Sequence, residues 1–165
     1  MTADHTDQFT VPFVSRFVAT GFFSGYSPVV PGTAGSLVGL AIYALPGIEH
    51  NIILSSAIIG MFFWGVYVSH QMEKKFGEDP QIVVIDEIVG MWISLLLLPK
   101  NFLLALLAFV FFRIYDIIKP PPARNMEHLR NGWGIMLDDV VAGIYANITM
   151  RIFLLIYPAI ISTPH

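Results

Sequence analysis

Apolar residues in this chain fall into long uncharged runs separated by short clusters of Pro, Gly and charge, which is how helices and their turns are punctuated. Leu37 to Leu45 and Ile52 to Ser69 read as two helices parted by Pro46-Gly47 and by Glu49, His50 and Asn51. The second, about 18 residues without a charge, would be roughly 27 Å long and nearly cross a bilayer core. Phe9 to Phe23 is broken by Pro12, Ser15, Arg16 and Thr20, which suits a short amphipathic helix at an interface. The Gly- and Pro-rich stretch Ser24 to Ser36 leads into the Leu37 helix, with Thr33 or Ser36 as its expected N-cap. Gln71 to Gln81 is charged and carries Gly77 and Pro80, so a loop or frayed helix end is expected there. Trp92 to Leu98 and Phe102 to Phe112 are apolar again, parted by Pro99, Lys100 and Asn101. The later helix runs on to Ile118 until Pro120-Pro121-Pro122 stops it. Ala123 to Gly134 is polar, and Val140 to Ile161 is a last apolar segment interrupted by Asn147 and Arg151. The pattern predicts an all-α, multi-helical bundle, embedded in or associated with a membrane, with one domain over 9–165 after a flexible tail over 1–8.

Composition sharpens that picture. Apolar residues make up 55% of the chain and charged residues 13%, a balance that makes the membrane the leading solvent. Helical hairpins return the chain to the side it left, so the loop at 24–36, the segment before Asp86 and the run from Arg113 to Asp139 gather on one face. Lys74, Lys75, Arg113, Lys119, Arg124 and Arg130 fall there too, and positive loops mark the cytoplasmic side. Cysteine is absent, which removes disulfides, thiolate ligands and any Cys-nucleophile hydrolase mechanism. The net charge of −3 excludes phosphate-backbone recognition of nucleic acid, which needs a basic excess. Met1 to Gln8 is polar and acidic, without the basic head and apolar core of a secretory signal.

Chemistry concentrates in four blocks. Asp86-Glu87 heads an apolar run with Gly90 one turn on, and Asp138-Asp139 repeats the arrangement with Ala142-Gly143. Carboxylates at the edge of apolar segments cost several kcal/mol, roughly, unless a cation or donor compensates them. The helix dipole explains one such acid but poorly explains four, and both pairs are expected at helix starts, where neighbouring carboxylates can reach one metal. Gly90, Ala142 and Gly143 would let the two helices approach and set the pairs face to face. Arg113, Asp116 and Lys119 recur every third residue and so share a helix face, which a helix-end salt bridge would also explain. Backbone N–H groups in the 24–36 loop make it a candidate phosphate cradle, with Ser24, Ser27, Gly32, Thr33, Gly35 and Ser36 as its donors, although Gly, Pro and Ser also form plain turns. Hard oxygen ligands without Cys select Mg²⁺ over zinc, and Arg and Lys beside them point to phosphate. Asp86 lacks the second Asp of an aspartyl-phosphate signature, there is no P-loop Gly-Lys-Ser, and Asp138-Asp139 lacks the fifth-position Asp of a prenyl-diphosphate motif. His70, after a long apolar run, is a ligand, an acid or a dipole partner.

The four blocks closely resemble the phosphatidylglycerophosphatase A family: Gly-Phe-Phe-Ser-Gly-Tyr-Ser-Pro-Val-Val-Pro-Gly-Thr-Ala-Gly-Ser, Asp-Glu-Ile-Val-Gly-Met-Trp, Phe-Arg-Ile-Tyr-Asp-Ile-Ile-Lys-Pro and Gly-Ile-Met-Leu-Asp-Asp-Val-Val-Ala-Gly, in order from about Gly21 to Gly143. One departure is Gly77-Glu-Asp-Pro-Gln81, where many relatives carry a His-rich segment. The resemblance implies a Mg²⁺-dependent enzyme of the bacterial inner membrane that converts phosphatidylglycerophosphate to phosphatidylglycerol. On this reading Asp86, Glu87, Asp138 and Asp139 hold the metal, Arg113 and Lys119 bind phosphate oxygens, and Asp116 orients Arg113 or completes the metal shell. Attack by water and attack by a carboxylate both stay open. Two rivals remain: a small ion carrier that uses the intramembrane acids, which leaves Arg113, Lys119 and the Gly-rich loop idle, and another phospholipid-pathway phosphotransferase, whose Asp-Gly and Ala-Arg block is absent.

Overall fold

Pro, Gly and Asn set the helix boundaries in the computed structural model, which describes residues 10–157. Seven helices and no strand occur among the described residues: α1 (Phe13–Ala19), α2 (Pro31–Ala44), α3 (Asn51–Phe76), α4 (Ile85–Leu95), α5 (Phe102–Ile118), α6 (Ala123–Met126) and α7 (Trp133–Ile156). The expected all-helical architecture is borne out. The expected tail over 1–8 and the end of the last segment beyond Tyr157 lie outside the described residues.

Several boundaries differ from the sequence expectation, each for a local reason. Helix α2 begins at Pro31 rather than Leu37, because Pro at the first helical position has its φ preset and needs no N–H partner. Thr33 and Ser36 are therefore inside the helix, and the N-cap is Val30, with φ of 47° and no side-chain cap. Helix α3 continues through the charged stretch to Phe76 and stops at Gly77, whose φ of 92° suits glycine. Helix α5 keeps its expected span, with the Asn101 side chain accepting from the N–H groups of Leu103 and Leu104. The expected amphipathic helix at 9–23 shortens to α1, and the 123–134 stretch contains the single turn α6. Helix α7 starts at Trp133, after Gly132 in the left-handed region, and the Asp138-Asp139 pair consequently lies in its second turn.

Helix α4 is the axis of the bundle. Eight of its eleven residues are buried, and it packs on α2, α3, α5 and α7. A helix apolar on nearly every side must be surrounded by protein or lipid, and here the protein does it. The α4–α7 contact is a backbone approach: a Cβ on Gly143 would sit 2.5 Å from the Gly90 carbonyl, and one on Gly90 would sit 2.8 Å from the Asp139 carbonyl. The small residues 90 and 143 thus do what their spacing predicts. Trp92 Nε1 donates to the Gly39 carbonyl at 2.9 Å and ties α4 to α2. Asn147 Nδ2 on α7 donates to the carbonyls of Ile93, Ser94 and Leu96 and so ends α4 from outside. Helices α3 and α7 are both long and apolar enough to cross a membrane, with 22% and 28% of their apolar windows buried. The N-termini of α2, α4 and α7 meet the C-termini of α3 and α5 at one end of the bundle, so the motif loops do gather on one face.

Candidate active site

Asp86 and Glu87 occupy the first turn of α4, where the helix dipole favours negative charge. Asp139, one turn deeper along α7 than expected, faces them across the Gly90–Gly143 contact. One carboxylate oxygen from each of Asp86, Glu87 and Asp139 lies within 4.8 Å of the others. Asp86 Oδ1, Glu87 Oε2 and Asp139 Oδ2 are buried and accept no hydrogen bond. Three unpaired anionic oxygens in one place are costly without a cation. Burial, followed by the neighbouring charge of Glu87, pushes the Asp86 carboxyl well above the usual carboxylate range. Burial likewise raises Glu87 to about 7. The donor set, all carboxylate and free of sulfur and imidazole, fits a hard divalent ion such as Mg²⁺.

Asp138 departs from the expected four-carboxylate set. Because α7 is regular at this position, residues 138 and 139 point about 100° apart, and Asp138 is not among the three carboxylates whose oxygens converge. Asp138 Oδ2 accepts from Lys119 Nζ at 2.7 Å, and its Oδ1 accepts from the Asp139 backbone N–H at 2.9 Å. Lys119 is the C-cap of α5, in the left-handed region before Pro120, and also donates to Glu127. Burial pulls the Lys119 ammonium down, but its bonds to Asp138 and Glu127 outweigh that and hold it charged. The Lys119 ammonium is thus already engaged by two carboxylates. Glu127 carried no signal in the sequence, lying eight residues beyond Lys119 in an irregular polar stretch.

Arg113 bridges the cluster to the Gly-rich segment. Its Nη1 donates to Asp116 Oδ2 at 2.7 Å and to Ser36 Oγ at 3.4 Å, while its buried Nε has no acceptor. Gly32 faces this group so closely that a Cβ there would fall on Glu87 Oε1 and 3.2 Å from both terminal nitrogens of Arg113. By helix geometry the N–H groups of Gly32 and Thr33, in the first turn of α2, have no intrahelical acceptor. A helix N-terminus and a guanidinium, brought together where glycine lets Glu87 and Arg113 approach the backbone, make a candidate anion pocket beside the carboxylates. The rest of the expected cradle serves other ends. Ser24 Oγ donates to the Thr20 carbonyl and Ser27 Oγ to that of Val29. Gly35 packs on Val84, where a Cβ would sit 2.6 Å from the Val84 Cβ. Ser36 Oγ donates to the Gly32 carbonyl at 2.9 Å while accepting from Arg113, which joins the cradle to the guanidinium.

Beside Asp138 opens a polar cavity of about 530 Å³, lined among others by His70, Glu73, Lys74, Glu127, His128 and Arg130. Glu73 accepts from the Gly132 N–H and lies 3.8 Å from His70 Nδ1, so His70 belongs to the wall of this cavity and not to the carboxylate cluster.

Residues 17–154 match the phosphatidylglycerophosphatase A family. A Bacteroides thetaiotaomicron protein with the provisional name phosphatidylinositol-3-phosphatase is 40% identical over 85% of this chain and 93% of its own. The phosphatidylglycerophosphatase A of Escherichia coli is 42% identical over 78% of this chain and 77% of its own, and that of Haemophilus influenzae 38% over 82% and 85%. No solved structure matches the chain. Enzyme relatives along most of the length decide against the ion carrier, and the resemblance read from the four blocks holds. The chain belongs to the phosphatidylglycerophosphatase A family and is a phosphatase.

Proposed function

We propose that this protein removes the terminal phosphate of phosphatidylglycerophosphate, yielding phosphatidylglycerol and inorganic phosphate, with Mg²⁺ held by Asp86, Glu87 and Asp139. The observation that carries the reading is the set of three unpaired carboxylate oxygens beside Arg113 and the start of α2. Bound there, Mg²⁺ supplies Lewis acidity toward the phosphoryl oxygens. Arg113 and the N–H groups of Gly32 and Thr33 grip the phosphate and stabilise the charge that builds on its oxygens in the transition state. Asp116, which also neighbours Asp139, fixes the guanidinium from α5, and Ser36 fixes it from α2. Lys119, neutralised by Asp138 and Glu127, orders the chain around the site and orients Asp138 rather than meeting substrate first. The site end of the bundle faces the cytoplasm and the apolar helices sit in the inner membrane, a reading supported by the basic residues at that end and the two long apolar helices.

The Bacteroides relative's name favours a second substrate, phosphatidylinositol 3-phosphate, on which the same phosphate pocket could act. Purified protein is offered each lipid in mixed micelles with Mg²⁺ and with chelator. Phosphate release from phosphatidylglycerophosphate, abolished by chelation and at least about tenfold faster than from the inositol lipid, is expected. Preference for the inositol lipid replaces the substrate assignment, and undiminished release after metal removal refutes the carboxylate roles.

A further inference from the structure

Helices α2 and α5 bound the anion pocket through Gly32 and Arg113, yet away from the site they touch only sparsely. Between them runs an apolar groove of about 370 Å³. Small side chains create it: Ala41 and Ala44 on α2 and Ala105 on α5 leave a slot whose walls are Leu40, Phe102 and Leu106. We infer that this groove is an acyl-chain subsite, which takes one fatty chain of the lipid whose phosphate occupies the pocket above it. The inference rests on the lipid phosphatase reading.

Register along the two walls supports that occupant. From Gly32, the groove at Leu37 to Ala44 lies about 8 to 18 Å down α2, at 1.5 Å per residue. From Arg113, its other wall at Leu106 to Phe102 lies about 11 to 17 Å down α5 by the same rise. Two antiparallel helices thus place the groove at one depth below the phosphate-gripping groups. The first 8 Å or so leaves room for a polar headgroup between the phosphate and the first acyl carbons, and the groove bottom matches the roughly 15 Å depth of one leaflet. Its far end is closed by Lys100, whose ammonium binds the Leu45 carbonyl and Glu49. A soluble phosphate ester would leave the groove unused. A lipid chain already surrounded by hydrocarbon gains little transfer energy on moving there, so the groove's effect is to hold the ester bond in register with the carboxylates.

The test uses full-length protein and phosphatidylglycerophosphate in long-chain and water-soluble short-chain forms. Ala41→Trp, from an exposed position, fills the slot. It should lower the long-chain to short-chain ratio of kcat/KM about tenfold, as the ester bond of the long-chain lipid loses its register with the carboxylates. Ile59→Trp, on the exposed face of α3, should leave that ratio as in the parent. In parallel, a phosphatidylglycerophosphate with a mid-chain diazirine is photolysed on the unaltered protein and the label mapped. Label concentrated on 37–44 and 102–106, displaced by unlabelled substrate and not by phosphatidylcholine, is expected. An unchanged ratio in a folded Ala41→Trp, or label spread evenly over α3 and α7, overturns the subsite. Absence of phosphate release from either form would instead refute phosphatidylglycerophosphate as the substrate, and the photolabel map then decides the groove by itself.

Discussion

Asp138 and Asp139 are adjacent in sequence and separated in role. Asp139 is 2% exposed and completes the carboxylate cluster, whereas Asp138 anchors Lys119. Asp139→Asn should weaken Mg²⁺ binding and lower kcat by at least about a hundredfold, since one charged ligand of three is lost. Asp138→Asn should keep metal binding within a few-fold and lower stability by roughly 2 kcal/mol, a typical value for a hydrogen bond to a charged group. Calorimetric Mg²⁺ titration and thermal melts of the two variants separate these outcomes, and equal loss of metal affinity in both would restore Asp138 to the cluster. The sequence shows which residues carry charge in an apolar setting, because that anomaly is visible from composition alone. It does not show which way each points: that depends on helix register, and the register of α7 was set by Asn131-Gly132, a turn signal within a polar stretch that held several equally good starting points. Asp86 and Glu87 were readable because acids favour the first turn of a helix, and both lie in the first turn of α4.

At the scale of elements, the site depends on how closely α4 and α7 approach. Gly143→Leu should drive the helices apart, because backbone stands where the new side chain would go. The expected result is a destabilisation of several kcal/mol, above the roughly 1–3 usual for overpacking, with loss of phosphatase activity as Asp139 moves away from Asp86. Gly60→Ala, on α3 with nothing within 4 Å of its Cβ, should instead stabilise by about 0.5–1 kcal/mol through helix propensity. Denaturant titration in detergent compares them, and a Gly143→Leu protein as stable as the parent would contradict the close-packing account. Helix existence was readable wherever Pro or Gly punctuated a long apolar run. The extension of α3 past Ser69 was not, since the charges of Gln71–Phe76 look like loop until one sees that they reach the polar end of the bundle, where helix and water are compatible.

Across the whole molecule, the carboxyls that burial raises, Asp86, Glu87, Asp138 and Asp139, gather at one end, and the protein's response to pH follows from that. The Glu87 carboxyl stands at about 7 in the folded protein against 4.5 ordinarily. Between those values the folded state binds more protons than the unfolded one, so Glu87's contribution to stability without metal falls as pH rises through that window. Mg²⁺ requires the ionised form and relieves the repulsion, so its stabilising effect should grow from about pH 5 to about pH 8. Melting temperatures with and without Mg²⁺ across that range provide the measurement, and a metal effect independent of pH would show that Glu87 is not a ligand. The bundle is also uneven in height. Helices α3 and α7, at 26 and 24 residues, are roughly 39 and 36 Å long, whereas α4, at 11 residues and stopped by Asn147, reaches only about 17 Å, and α2 about 21 Å. Among the helices at the outside of the bundle, α3 and α7 therefore match a full hydrocarbon core of about 30 Å and α2 falls short of it. If the bundle is embedded as proposed above, lipid beside α2 must thin or tilt to fit, a hydrophobic mismatch that draws headgroups inward on the side where α2 lies. On that reading membrane thickness becomes a variable of this enzyme, with thin bilayers offering their lipids at the depth where its carboxylates wait.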